Sequence, residues 1–585
     1  MQIGINLYSK WPYEEIIEAF LENGIQKTFV CIEHPQFEEV MDALAKAEIE
    51  VENLHAPYKG HNAIWQDGEE GDKVCNRFFQ SIDYCVKYGI KVLVAHVSNS
   101  RPMPEITEIG LKRFDAFMAY AKEKGVTIAF ESHRYVENVK FILERYPEAG
   151  FCLDTCHEDA FTPGVRYMPM WGHRLVATHI SDNDCVCDKD MHMLPFDGNI
   201  DFEKTAQEFA QCGKAVTLML ELKPDNHEKY ANMSVKEYYA KAADSVRKLE
   251  KLVRKNIIIS VAEKINKIRK ADSLVFPIFT DLHAMAKDEK VELLCETLGT
   301  ITKAVQCDAV INLGDNLGML GRIQHISNEN INALLTDIFS DLYDAVKCPI
   351  LFANGNHDGI GTDFFEADFW NEMVKNKYGN TNAVYDDEGS YYYVDYEKAN
   401  TRLVVLSVPS GSDFEAESPT PVWAFGEKQL EWLKNTALNV CGNVIIVMHV
   451  PFFYHHYGDE ERIFEVWDGK RVRTTYMPAL CGTISDREEA LEVINAFSNQ
   501  EGNRLVACFS GHTHIDELWQ PHEQRDRHKN GLPCPQIVTA GTYIPANLHE
   551  KYGISVDIAV WTPSENSLEF FRIGDGEDRK VLLQK

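Results

Sequence analysis

"LVACFSGHTHID", Leu505 to Asp516, runs from a short apolar segment straight into two histidines one residue apart, with Gly511 leading in. An apolar run that ends abruptly in Gly and polar residues reads as a buried strand emptying into a tight loop. Imidazole is the commonest metal ligand among side chains, so His512 and His514 raise metal chemistry against the plainer reading of two turn histidines. The choice depends on whether the pattern recurs. It does: "SLVFPIFTDLH", "AVINLGDN", "PILFANGNHD" and "NVIIVMHVP" are further apolar runs that finish in Asp, Asn or His. Downstream, "QIVTAGTY", "DIAVWTP" and "SLEFFRI" read as strands of a second sheet. Together these predict an α/β two-sheet sandwich with its polar loops at one edge.

The chain ahead of this region is built differently. Residues 1–253 repeat one unit, a short apolar strand followed by a helical stretch: "QIGINLY", "TFVCIE", "VENLHAP", "VLVAHVS", "TIAFES", "GFCLDT", "VATHIS" and "TLMLEL", with segments such as "EEIIEAFLENG" between most of them. Eight such units predict an N-terminal (β/α)8 TIM barrel, whose chemistry sits at the carboxyl ends of the strands. Strands three to eight end near His55, His96, Glu131, Asp154, His179 and Glu221, so six consecutive strands deliver a metal-capable side chain to one mouth. His157, and Asp190 with His192 in "DKDMHMLPFDGNID", add three more candidates. From 234 to 270 the chain is helical in character, charged and free of Gly and Pro. It is read as the closing helix of the barrel running into a helical connector, 254–271, ahead of a second domain at 272–585.

Composition bounds the partners. The net charge of −31 is shared: residues 1–253 carry 28 basic and 41 acidic side chains, leaving 31 and 49 of the totals of 59 and 90. Nucleic-acid binding draws mainly on phosphate neutralisation by Lys and Arg, so an acidic chain argues against a nucleic-acid partner and for a small phosphorylated or sugar substrate. There is no basic-then-apolar leader and no run of 18 apolar residues, so neither secretion nor membrane insertion is expected. Fifteen cysteines without a repeating frame read as reduced thiols in a cytoplasmic protein. The local pairs Cys152/Cys156 and Cys185/Cys187 lack the second pair that a zinc ribbon needs and are read as packing or loop residues. Without Walker or dinucleotide-type glycine loops, neither ATP nor NAD is expected. Homo-oligomerisation is left open.

The second domain, 272–585, resembles the calcineurin-like metallophosphoesterases. Asp281 and His283 (D-x-H), Asp315 in "GDN", Asn356 in "GNHD", His449, His512 and His514 follow predicted strands in that family's order. The resemblance implies two divalent transition-metal ions (Mn, Fe or Zn). Asp281, His283, Asp315 and His514 would hold one, and Asp315, Asn356, His449 and His512 the other, with Asp315 as the bridge. Two ions roughly 3.5 to 4 Å apart can clamp the attacking and leaving oxygens of a displacement at phosphorus. The resemblance also implies that His357 is not a ligand but stabilises the phosphoryl oxygens or protonates the leaving group, with Asp358 orienting it. Gly314, Gly355 and Gly511 would allow the tight turns. After "GD" the chain continues "NLGML" where many relatives have further charged residues, so substrate contacts are not carried over. The aromatic loop "VPFFYHHYGDEERIF", with His455 and His456, reads equally as a substrate wall or as an exposed loop. Nothing chooses between a monoester and a diester.

The first half resembles the xylose isomerase-like superfamily, which includes sugar phosphate isomerases and epimerases and also endonuclease IV. "LHAP", "ES", "CLDTCH", "THISDND", "DMHMLPFDGNID" and "LELK" carry the likeness. On the epimerase side it implies one divalent ion on Glu131, Asp154, His179 and Glu221, with His157 and His192 as substrate contacts. Glu131 and Glu221, expected on opposite sides of the mouth, would remove a proton beside the carbonyl and return it. On the endonuclease IV side it implies three zincs: one on His55, His96 and Glu131, one on Asp154, His179 and Glu221 with Glu131 bridging, and one on His157, Asp190 and His192. The barrel is therefore expected to take one to three divalent ions (Mn, Co or Zn). A third alternative is a non-catalytic barrel that supports the phosphoesterase. His34, His61, His133, His173 and His227 are given no chemical role. The combined expectation is a bifunctional metalloenzyme, one half hydrolysing a phosphate mono- or diester and the other isomerising or epimerising a sugar or sugar phosphate.

Overall fold

The computed structural model describes all residues except 185, 215, 318–327, 359–371, 387–390, 408–421, 454–461, 466–470, 475–482, 528–529, 543–552 and 584–585. The chain divides into two compact units, Met1–Ile257 and Ile258–Lys585.

Among the described residues the first unit contains eight strands: β1 (Ile3–Ile5), β2 (Lys27–Cys31), β3 (Glu50–His55), β4 (Val92–Ala95), β5 (Thr127–Glu131), β6 (Gly150–Asp154), β7 (Leu175–His179) and β8 (Leu218–Leu220). Strands β2 to β7 form one sheet in sequence order and every ladder in it is parallel. β1 pairs in parallel with β8, and a bridge between Ile180 and Leu220 links β8 to the end of β7. This is the expected parallel barrel, and β6 is buried along its whole length, as a strand covered on both faces must be. The surrounding helices show why the chain folds this way locally. In helix Glu108–Lys124 the Thr107 side chain accepts the Gly110 amide at 3.2 Å as N-cap, and Gly125 ends it in the left-handed region. Phe114, Phe117, Met118 and Ala121 form its buried stripe at helical spacing.

Helix Val235–Ile268 crosses the boundary between the units. Its residues Tyr238, Ala242, Val246, Leu249 and Val253 join the barrel core, and Ile258, Val261, Ala262 and Ile265 join the core of the second unit. Residues 254–268 of the expected helical connector lie within this helix, which no Gly or Pro interrupts.

The second unit contains β9 (Leu274–Phe279), β10 (Val310–Asn312), β11 (Ile350–Phe352), β12 (Ala383–Tyr385), β13 (Tyr392–Tyr396), β14 (Thr401–Val405), β15 (Asn443–Val447), β16 (Arg504–Ser510), β17 (Glu517–Trp519), β18 (Gln536–Val538), β19 (Ser555–Thr562), β20 (Ser567–Gly574) and β21 (Arg579–Val581), besides short two-stranded pairs. They form two sheets, in the orders β11-β10-β9-β19-β20-β21 and β12-β13-β14-β15-β16-β18-β17. Along β14 and β15, alternate residues feed two cores: Leu403, Val405, Ile445 and Val447 enter one, and Val404, Val444 and Ile446 the other. A strand buried on both faces reads as an unbroken apolar run, which is how these segments stand in the sequence.

The sandwich is as expected, but its strand partition is not. The three late segments were expected together in one sheet. Instead β18 lies parallel to β16, whereas β19 pairs antiparallel with β9 and β20. An apolar pattern specifies which face of a strand is buried, and the partner is chosen by long-range packing.

Candidate metal centres

In the barrel the interior face alternates along each strand, and its last position carries the polar group. Val94, Ala129, Cys152 and Ala177 pack as a small buried cluster. Two residues further along the same face stand His96, Glu131, Asp154 and His179, above this apolar floor.

Glu131 is the hub. Its Oε2 lies 3.3 Å from His55 Nε2 and 2.6 Å from His96 Nε2, and its Oε1 lies 2.7 Å from His179 Nδ1. His179 Nδ1 is also 3.2 Å from Glu221 Oε2. Both glutamates therefore reach the same ring nitrogen of His179. Around the second focus, His192 Nε2 is 2.9 Å and His157 Nε2 3.6 Å from Asp190 Oδ2, with His157 Nδ1 3.4 Å from Asp154 Oδ2. One contact network therefore connects all nine barrel residues singled out in the sequence.

Three of these imidazoles are oriented by backbone. His55 Nδ1 donates to the Ala56 carbonyl at 2.8 Å, His157 Nδ1 to Ser132 at 3.1 Å and His192 Nδ1 to Glu221 at 3.0 Å. Each bond directs the ring's Nε2 towards the carboxylates, the orientation that metal-ligating histidines take. Burial would raise the Glu131 carboxyl, but the surrounding His179, His55 and His96 hold it well below the usual carboxylate range. Asp154 is pushed up to about 7, chiefly by burial.

The set fits divalent ions. His96 Nδ1, Asp154 Oδ2, His179 Nε2, Asp190 Oδ1 and Glu221 Oε2 are buried without a hydrogen-bond partner among the described residues, which is costly unless something else satisfies them. The ligand atoms of His55, Glu131 and His179, and those of Asp154, His157 and His192, lie within 4.8 Å of one another.

The second unit builds its cluster from loops after β9, β10, β11, β15 and β16. Asp281 Oδ1 lies 3.1 Å from His514 Nε2 and 3.7 Å from His283 Nε2, and it too is buried without a hydrogen-bond partner among the described residues. Asp315 Oδ2 lies 3.2 Å from His449 Nε2 and 3.8 Å from His283 Nε2, between the two groups. His449 Nε2 is also 2.9 Å from Asn356 Oδ1, while its Nδ1 donates to the Leu313 carbonyl at 2.8 Å. Asp315, His449 and His512 form a further close group. All seven expected ligands are thus brought together, as two groups that share Asp315.

The backbone is bent to achieve this. Asp281, His283, Asp315, His512 and His514 all have positive φ, between 44° and 71°. For residues with a Cβ this costs on the order of 1 kcal/mol or more each, and such strain concentrates at functional sites. Two glycines are sterically required: a Cβ on Gly355 would lie 2.2 Å from the Asp315 nitrogen, and one on Gly511 would lie 2.1 Å from Thr280 Oγ1.

Asp358 has a different role from the expected one. Its carboxylate accepts the amides of Asp315 (2.8 Å), Asn316 (2.8 Å) and Gly355 (3.1 Å) and the Asn316 side chain (3.0 Å), and it makes no bond to the His357 ring among the described residues. It ties two ligand loops together because those amides point into the turn and need an acceptor. His357 stands at the cluster with Nε2 3.8 Å from Asp315 Oδ2 and its ring 4.8 Å from that of His283.

Among the histidines given no role, His34 and His227 accept the amides of Gln36 and Lys229 with Nδ1, both at 3.1 Å. His61 is buried against Phe78, and His173 is exposed. His133 packs between His96 and His157, with ring centroids 4.5 and 4.7 Å away. Sequence reading overlooked Lys223, whose Nζ lies 3.5 Å from Asp190 Oδ2 and 3.8 Å from Glu221 Oε1. Its signal was present, since it follows Glu221 by two and so shares its face. Tyr58, stacked on His96 at 5.3 Å, was missed too. Cys152 and Cys156 are free and buried. Cys185, His455, His456 and the end of "NLGML" lie outside the described residues.

Residues 12–257 match the family model for the xylose isomerase-like TIM barrel, and residues 275–516 match that for the calcineurin-like phosphoesterase. The chain therefore joins a barrel domain of the first family to a phosphoesterase domain of the second. In the second domain the fold and ligand blocks are those of a hydrolase that works with divalent metals. A curated relative, an uncharacterized protein y4fM of Sinorhizobium fredii (strain NBRC 101917 / NGR234), is 30% identical over 151 residues, 24% of this chain and 47% of the relative. The match thus spans about half the relative's length. Similar solved structures include D-psicose 3-epimerase with D-tagatose from Clostridium cellulolyticum H10, with 14% identity and a TM-score of 0.37 over 43% of this chain and 99% of the other. Another is a dimetal phosphatase from Danio rerio, with 15% identity and a TM-score of 0.37 over 53% of this chain and 99% of the other. Among the described residues no helix is long and apolar enough to cross a membrane.

Proposed function

We propose that the second domain hydrolyses a phosphate ester with two divalent ions, and that the barrel isomerises or epimerises a sugar or sugar phosphate with divalent-metal assistance. The observation that carries the first half is the position of Asp315 Oδ2, within 3.8 Å of both His449 and His283, which belong to different ligand groups. Bound there, two ions would lower the pKa of water and neutralise charge developing on the phosphoryl oxygens. Asp281, His283, Asp315 and His514 would hold one ion, and Asp315, Asn356, His449 and His512 the other. His357, beside the cluster and one quarter exposed, donates to a phosphoryl oxygen or supplies the leaving group's proton. Asp358 keeps the loops of Asp315 and Asn356 in register for it.

In the barrel, Glu131, Asp154, His179 and Glu221 would hold an ion that polarises the sugar carbonyl. Glu221 is the better placed of the two glutamates to move a proton, because Glu131 has both oxygens engaged by three histidines. The substrate is a small phosphorylated or sugar molecule, and the two halves act on consecutive steps. The reading is tested on the full chain loaded with Mn²⁺ or Zn²⁺. Aryl phosphate mono- and diesters are assayed for hydrolysis, and ketose phosphates are followed by NMR in deuterated water for exchange beside the carbonyl. No hydrolysis of either ester sinks the first half, and no exchange on any ketose sinks the second.

A further inference from the structure

The barrel mouth offers two foci to cations, and they differ in one respect. Around Glu131 the partners are the imidazoles of His55, His96 and His179. Around Asp190 the partners are His192 and His157 together with the ammonium of Lys223, 3.5 Å from the same Oδ2 that both histidines face. Lys223 also reaches Glu221 Oε1 at 3.8 Å, while Glu221 Oε2 faces His179 at 3.2 Å, on the side of the Glu131 focus.

An ion ligated by Asp190 would sit about 2.0–2.2 Å from its carboxylate oxygen. It would then lie at most about 6 Å from the Lys223 ammonium, whose like charge opposes it. A lysine is a compact point charge, and this one stands within ion-pair distance of the Oδ2 that both histidines face. We propose that the Lys223 ammonium stands in for a divalent ion at the His157–Asp190–His192 focus, so that the barrel takes metal at the Glu131 focus and not here. This rests on the reading of the barrel as a divalent-metal site. It assigns the Asp190 focus to the substrate: Lys223 keeps 30% of its side chain exposed, and an ammonium there would attract an anionic or hydroxyl oxygen of a sugar. A barrel built this way is an isomerase-type site with a fixed cation and lacks the third ion of the endonuclease-type arrangement.

The test counts metal by elemental mass spectrometry on the full chain after loading with Zn²⁺ and desalting. Lys223→Met should bind one more ion per chain than the wild type, and the gain should vanish in Lys223→Met/Asp190→Asn. Asp190→Asn alone should leave the wild-type count unchanged, which keeps the proposal open to refutation should Lys223→Met fold poorly. Equal counts for folded Lys223→Met and wild type, or loss of one ion in Asp190→Asn, overturn it. Glu131→Gln in the same series separates the two failures. A count that does not fall in that variant removes the metal reading of the barrel itself, whereas a fall there combined with a fall in Asp190→Asn removes only the role of Lys223.

Discussion

His283 Nε2 and His514 Nε2, 231 residues apart in sequence, face each other at 3.0 Å beside the buried Asp281 Oδ1, 3.1 Å from His514. Two imidazole nitrogens at that distance share a single proton or a cation, and the neighbouring carboxylate favours the cation. Chelation should therefore destabilise the second domain. The expected outcome is a lower unfolding temperature in EDTA, restored by Mn²⁺ or Zn²⁺, since an ion at a hundred times its dissociation constant adds about 2.7 kcal/mol. An EDTA-insensitive melt with no metal-dependent shift would contradict it.

Replacing Asp315 by Asn should abolish ester hydrolysis and lower the metal content, because the bridging oxygen loses its charge. His357→Ala should slow turnover by about 10²–10⁴-fold with metal content unchanged, the range for loss of one proton-transferring group. The pair of kcat and metal measurements distinguishes ligand from non-ligand.

Asp358→Ala should act through structure. It leaves the buried amides of Asp315, Asn316 and Gly355 without their acceptor, at about 1–3 kcal/mol for each buried group left unsatisfied. Thermal stability and hydrolysis should fall together, and a variant with wild-type melting but no activity would instead point to a direct chemical role.

Glu131→Gln should remove both carbonyl-adjacent proton exchange and a bound ion from the barrel, while leaving phosphate ester hydrolysis intact. Exchange measured by NMR and hydrolysis measured on the same preparation give the contrast.

His61, which is not itself a candidate ligand, gives a pH dependence of stability. Burial lowers its pKa from 6.5 to about 3, so between those values the unfolded chain binds a proton that the folded barrel does not. Stability is fully present above pH 6.5 and declines as pH falls towards 3, by on the order of a few kcal/mol. His61→Leu should flatten that decline in barrel unfolding followed by urea titration at pH 7 and pH 5.

Much of this was readable from residue order. Strand periodicity of two places His96, Glu131, Asp154 and His179 on the same face as Val94, Ala129, Cys152 and Ala177, so eight repeated units and the chemistry at their ends follow from local pattern. The ordered D-x-H, GDN, GNHD, H and GHTH blocks likewise named every ligand candidate of the second domain. What local pattern does not contain is the partner of each element. That β19 inserts beside β9, that helix Val235–Ile268 serves two cores without a break, and that Asp358 accepts backbone amides in place of the His357 ring were decided by packing. The meeting of Glu131 and Glu221 at His179, and the ammonium of Lys223 beside Asp190, belong to the same class. Contacts across tens to hundreds of residues are selected by burial, charge and hydrogen-bond satisfaction in three dimensions, and only the folded chain brings those groups within reach of one another.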